Sequence, residues 1–402
     1  MVQHVNRRVM WFAVVLACAC RPDPNKPIGA PDSYTLLAPV TGAASGALTV
    51  VRRLDIKDES VQPLPRLLED GFASEMLRTV YLTKQLIRDG VVEGRRFLGA
   101  QRPAATDSTC LVLGGERSGY GMGLAQAGSF GQPVPRPLLP WIGLASDLSR
   151  DKALVQTITG NLAEFSAQLV ATGGMLNEGG EAPRVLVEGY RMAMEVIARE
   201  WRMGTGPAGV IQYDEGTAAQ RALFGNVREN RYVLNEGGNV LRSARQMLED
   251  PGVAATVIYR MAQAKPVGGR VAPDEFYAHF GSNRFPPGVS PAAVLGPFRN
   301  SQAKLLGSWG LAVLRGKPPR DLVDLIETYT ATFPVERAEV LRIFVVTTYG
   351  ATVQSGGASP SPKDANRTLA ELTTISAQVT AGKRSLREAL LPVDGGAGAG
   401  QN

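Results

Sequence analysis

The chain has 402 residues, 44% of them apolar and 20% charged, with a net charge of +6, which excludes a wholly disordered polypeptide and a single small core. Three cysteines (Cys18, Cys20, Cys110) cannot build a disulfide framework, and two histidines (His4, His279) are too few for a histidine-based metal site. Of the 43 basic residues 34 are Arg, whose planar guanidinium suits bidentate phosphate contact, but a GC-rich genome gives the same bias.

At the start, Arg7 and Arg8 precede an apolar run from Val9 to Cys20. It is too short to span a bilayer as a helix and has the length of a signal-peptide core. Val15-Leu16-Ala17-Cys18 resembles the lipobox of bacterial lipoproteins; the other reading is an apolar arm that packs on a neighbouring subunit or on its own core. Pro22 to Ser33 reads as an extended linker. Short strands are expected within 47–56 and at Cys110–Leu113, neither long enough for a large sheet. Between them Ser74 is a candidate N-cap for a helix carrying Leu77, Val80, Tyr81 and Ile87 and stopped by Gly90. Residues 114–137, rich in Gly and Pro, read as a loop.

From about residue 149 the spacing is helical. Leu154, Ile158, Leu162, Phe165 and Leu169 share one face, closed by Gly173. A helix opening at Pro183 buries Val187, Tyr190, Met194, Ile197 and Trp201 before Gly204. Thr217 and Gln220 form a capping box for a helix with Leu223, Phe224 and Val227. Asn239 caps another, and one more follows Pro251 with Val253, Val257 and Met261. Pro291 and Pro297 interrupt the next segment before Leu305, Leu306, Trp309 and Val313 resume a helical face, and two amphipathic helices follow near Leu322 and Val340. Residues 353–365 read as a flexible linker to a last helical arm with Val379, where Ser385 and Glu388 make a second capping box. The fold class is therefore mainly α: a two-lobed helical protein with an N-terminal arm or signal-like segment (1–33), a small mixed lobe (34–148), a helical region (149–352) and a C-terminal arm (353–402).

The Gly-rich run from Gly114 to Gly123 lacks the Lys-Ser/Thr ending of a P-loop and misses the dinucleotide fingerprint by one position. No nucleophile elbow stands in strand-turn-helix context, so the sequence predicts neither an enzyme nor a cofactor or metal. Charge is the more informative signal: residues 221–320 hold fourteen Arg and Lys against six acids, a local excess of +8. Tyr232, Tyr259, Phe276, Tyr277, Phe280, Phe285, Phe298 and Trp309 are interleaved with them, a combination that tracks a phosphate backbone and stacks bases.

The segment from Glu249-Asp250-Pro251 through Met261-Ala262-Gln263 and Gly268-Gly269-Arg270-Val271 to Leu306-Gly307-Ser308-Trp309-Gly310-Leu311 resembles the central part of nucleoproteins of non-segmented negative-strand RNA viruses, pneumoviruses in particular. The likeness covers about sixty residues and needs gaps. It implies a nucleocapsid or coat-type protein of the virion and host cytoplasm that oligomerises through terminal arms and holds single-stranded RNA in a cleft between helical lobes, with no membrane partner. The cations expected to contact phosphate are Arg228, Arg231, Arg260, Lys265, Arg270, Arg284, Arg299, Lys304 and Arg315. The alternative is an exported bacterial lipoprotein of the cell envelope with a helical binding domain, lipidated at Cys18.

Overall fold

The computed structural model describes residues 34–45, 48–55, 57, 61, 64, 68, 72–92, 109–115, 119–127, 133–145, 154–173, 182–204, 217–238, 241–242, 244–279, 288–349, 374, 377–383 and 385–386. The signal-like segment, the Pro22–Ser33 stretch, Arg284, Asn239 and the 353–365 linker lie outside them. The described chain is mainly helical, with one small mixed sheet.

The sheet closes into a five-stranded barrel in the order β1-β2-β4-β5-β3, built from β1 (Tyr34–Ser45), β2 (Leu48–Arg53), β3 (Thr109–Gly115), β4 (Gly119–Ala127) and β5 (Pro133–Ala145). β1 and β2 pair antiparallel, as do β4 and β5, while β1 with β3, β2 with β4 and β3 with β5 run parallel. Leu37, Val51, Cys110 and Val112 form a small separate core. Alternation along β3 sends Leu111 and Leu113, together with Ile142, into the main core beneath the helices. Burial pushes the Cys110 thiol up, Lys84 pulling weakly the other way, so it is an inert packing residue.

This overturns the loop expected over 114–137, most of which is β4 and the start of β5. Glycine and proline mislead here for separable reasons. The glycines of β4 accompany a register irregularity between Met122 and Leu124, the place where a strand must bend to close a barrel. The prolines fall in the part of β5 from Pro133 to Pro140, which pairs with β4 alone, whereas β3 joins only from Trp141 onward. A strand with one neighbour has backbone N–H groups that need no ladder partner, so proline is tolerated there.

The helices are α1 (Phe72–Val92), α2 (Leu154–Ala171), α3 (Arg184–Gly204), α4 (Ala218–Arg228), α5 (Ala244–Leu248), α6 (Pro251–Gln263), α7 (Lys265–Gly269), α8 (Asp274–Ala278), α9 (Pro291–Leu314), α10 (Leu322–Thr332) and α11 (Arg337–Thr347). One continuous apolar core runs through them, and α1 belongs to it: Met76, Leu77, Val80 and Leu86 join the same cluster as Leu162, Tyr190, Val257, Trp309 and Phe344. Ser74 is no cap; it lies buried inside α1, which starts two residues earlier. The predicted capping box does form, with the Gln220 backbone N–H donating to Thr217 Oγ1 at 3.2 Å and the Thr217 N–H donating to Gln220 Oε1 at 2.9 Å. Where α3 crosses α6 the backbones nearly touch: a Cβ on Gly189 would fall 2.7 Å from Ala254 Cβ and 3.0 Å from the Pro251 carbonyl oxygen. The break expected near Pro297 is a kink in α9 at Gly296, whose φ of 75° a side chain would strain.

Two expectations about exposure change. Trp201 is not a core residue, being 45% exposed near the end of α3. At the C-terminus, Val379 and Leu386 are buried in the chain's own core, and Arg337 donates to the Val379 carbonyl at 2.9 Å, so this part of the expected arm is docked on its own subunit.

Between α2 and α3, Arg191 donates to Glu195 Oε1 at 2.5 Å and approaches Glu164 at 3.8 Å and Glu188 at 3.7 Å. Burial pushes the Glu195 carboxyl up, and Arg191 offsets this only in part; Glu164 is raised for the same reason. A raised carboxyl binds its proton more tightly folded than unfolded, so the associated stability is full below the ordinary carboxylate range and is lost as pH rises through the raised value. Glu195→Gln is therefore expected to gain stability relative to the parent protein as pH is raised from about 4 to 7. Denaturation midpoints of the two proteins across that range check it; a difference independent of pH would show that Glu195 ionises normally.

Candidate nucleic-acid interface

Carboxylates already engage four of the nine cations expected to contact phosphate. Arg228 Nε lies 2.9 Å from Glu200 Oε1, with its guanidinium 5.1 Å from the centre of the Phe224 ring. Arg231 pairs with Glu229, and Arg299 Nε lies 2.8 Å from Glu75 Oε2 with only 12% of its side chain exposed. Lys304 is the clearest correction, because its side chain is 0% exposed and its ammonium sits 2.6 Å from Glu336 Oε1. A lysine so enclosed cannot reach a polymer in solvent. Arg315 is exposed at the C-cap of α9, and Arg284 is outside the described residues.

Of the remaining three, Arg260 and Lys265 share a groove, and Arg270 lies outside its lining. Arg260 leaves the last turn of α6, Lys265 opens α7, and Arg270 follows α7, donating to the Val335 carbonyl. Between α6, α7 and α11 lies an open groove of about 440 Å³ lined by Arg260, Gln263, Lys265, Glu339 and Arg342, with Ile343 and Val346 among its apolar lining residues. Arg342 contacts Glu339 through both Nε at 3.0 Å and Nη2 at 2.8 Å, a bidentate pair one helical turn apart. The bond from Arg342, and next the charge of Arg342 and then of Arg270, hold the Glu339 carboxyl below its usual range. Glu339 is thus ionised at neutral pH, and three cations face one anion around the groove.

Arg260 is the unusual member. Its Nη1 donates to Thr347 Oγ1 at 3.0 Å, and Thr347 in turn donates to the Ile343 carbonyl at 2.6 Å, so a neutral hydroxyl fixed on α11 holds the guanidinium. Burial pushes its pKa down, with Tyr349 and Tyr259 opposing. Among the described residues it makes no ion pair, which leaves a partly desolvated positive charge beside Lys265 without a counter-charge of its own.

Beneath the groove, two side chains of α9 clamp α7. Asn300 Nδ2 donates to the Gly268 carbonyl at 2.8 Å and the Arg270 carbonyl at 2.9 Å, and Asn300 Oδ1 accepts from the Tyr277 hydroxyl at 2.7 Å. Lys304 Nζ donates to the carbonyls of Val267 and, at 3.1 Å, Arg270. Lys304 therefore serves the groove from below, by fixing the segment that carries Lys265 and Arg270. Arg342 and Gln263 were missing from the sequence-derived set. Gln263 carries no charge, and Arg342 lies outside the basic span, though its spacing from Glu339 is legible on a helix.

No protein-family model matches this chain, nor does any curated protein or any solved structure. Among the described residues no helix is long and apolar enough to cross a membrane, and no group of three or more His, Cys, Asp or Glu side chains is placed to hold a metal ion. The chain is thus a mainly helical protein with an open groove lined by three cations and one carboxylate.

Proposed function

We propose that the protein is a nucleocapsid-type coat protein that binds single-stranded RNA without sequence preference, its copies assembling along the strand. The observation that carries this reading is Arg260, a half-buried guanidinium with no carboxylate partner among the described residues, opening beside Lys265 onto a groove of about 440 Å³. Phosphate supplies the missing negative charge and accepts from a planar donor fork. The cationic contact is smaller than the charge count suggests, since Arg228, Arg231, Arg299 and Lys304 are committed to Glu200, Glu229, Glu75 and Glu336.

Binding of a random-sequence RNA oligomer, followed by fluorescence anisotropy, is expected to weaken linearly with log salt. The double variant Arg260→Gln, Lys265→Gln loses two phosphate contacts, so the slope should fall by about 1.4 and affinity should drop alike for every sequence. Salt-independent binding, or an unchanged slope in the variant, would move the interface elsewhere. Electron microscopy of the RNA complex is expected to show rings or filaments.

A further inference from the structure

Resting on the RNA-binding reading, the geometry points to Trp201 as a base-stacking platform beside the phosphate groove. A tryptophan left 45% exposed toward the end of α3 is costly to leave in water, and this one packs on aromatic rings. Its ring centre lies 5.5 Å from that of Phe72 at an interplanar angle of 45°, and Phe72 is braced edge-on at 4.9 Å by Phe298. The indole is thus supported from the protein side while a large part of it remains open to solvent.

The preceding residue, Glu200, ties this part of α3 to the groove. Glu200 accepts from Gln263 Nε2 at 2.9 Å, and Gln263 lines the groove; the same carboxylate accepts from Tyr259 at 2.6 Å and from Arg228 at 2.9 Å. The end of α6 therefore presents Arg260 toward α11 and Tyr259 and Gln263 toward α3, with Trp201 one residue beyond Glu200. A cationic groove next to a braced, solvent-open indole suits a polymer that carries negative charge on its backbone and flat apolar faces on its side groups. Single-stranded RNA has that chemistry, and stacking on an indole accepts any base.

The test compares a short oligouridylate with an abasic oligomer of the same length, using the parent protein, Trp201→Phe and Trp201→Leu. Leucine keeps apolar contact with Phe72 but has no ring to stack. The parent should bind the oligouridylate about tenfold more tightly than the abasic oligomer. Trp201→Leu should lose that margin while holding the abasic oligomer as before, and Trp201→Phe should retain most of it. Oligouridylate should also quench tryptophan emission less in Trp201→Phe than in the parent. If the parent binds both oligomers equally, with salt dependence, the platform fails and the phosphate reading stands; if it binds neither, both fail. If Trp201→Leu alters sedimentation but not oligouridylate affinity, the indole contacts a second copy of the chain, which also overturns the proposal.

Discussion

Glu336→Leu is expected to destabilise the protein by about 3–5 kcal/mol, because it strands a buried ammonium. Glu336 is 3% exposed and accepts from Lys304 at 2.6 Å and from the Tyr329 hydroxyl at 2.5 Å. Burial pulls the Lys304 pKa down, and the bond and charge of Glu336 pull it back up. Without the carboxylate the first effect is unopposed, and the Tyr329 hydroxyl loses its acceptor. The double variant Lys304→Met, Glu336→Leu removes both charges and should recover much of the loss, since a buried pair replaced by apolar groups of similar volume is often close to neutral. Recovery will be incomplete, because the Val267 carbonyl loses its Lys304 donor while Asn300 continues to serve Gly268 and Arg270. Urea midpoints at constant m measure both steps. Equal losses in the single and double variants would mean that the ammonium finds water or another partner once Glu336 is gone.

Trp309→Ala is expected to cost about 3–5 kcal/mol and Trp309→Phe far less than its lost area would suggest. Trp309 is 1% exposed in the middle of α9, so truncation to alanine opens a large cavity in the continuous core. Its indole N–H, however, is buried without an acceptor among the described residues. An unmade bond of that kind costs about 1–3 kcal/mol in the folded state, and phenylalanine removes the donor along with part of the ring. The relief and the lost contact oppose one another. Thermal or urea denaturation of the two variants decides the matter: if phenylalanine costs nearly as much as alanine, the indole N–H has an acceptor after all.

The helical part of the fold was largely legible because its signals are local. The apolar stripes of α2 and α3, the capping box at Thr217 and Gln220, and the turn at Gly173 depend on neighbours within a few residues. The barrel was not legible, since what makes Pro133 and Gly121 acceptable in strands is which partner strand lies alongside, a property of closure. The cations divide in the same way. Arg342 with Glu339 and Arg245 with Glu249 can be read from helical spacing, whereas Arg299 with Glu75 and Lys304 with Glu336 are brought together by tertiary packing. A charge count over residues 221–320 therefore overstates the available positive charge, and it passes over Arg342, which lies beyond that span. The misplacement of Trp201 has another cause: its position matches the apolar face of α3, but that face runs out of core before the helix ends.

The barrel seam between β1 and β3 also constrains the order in which the chain can fold. Tyr34 pairs with Thr109 and Leu37 with Val112, so β1 has no closing partner until the whole of α1 and the segment after it have been made. The antiparallel β1–β2 ribbon forms early from close neighbours, but closing the ring requires β5 as well, which pairs with both β3 and β4. Contacts at such separation carry a large loop-closure entropy and set slow rates. On a ribosome the β1–β2 ribbon would therefore emerge well before its partners, with open edges exposed, and α1 would meet α2 only after all five strands have been made.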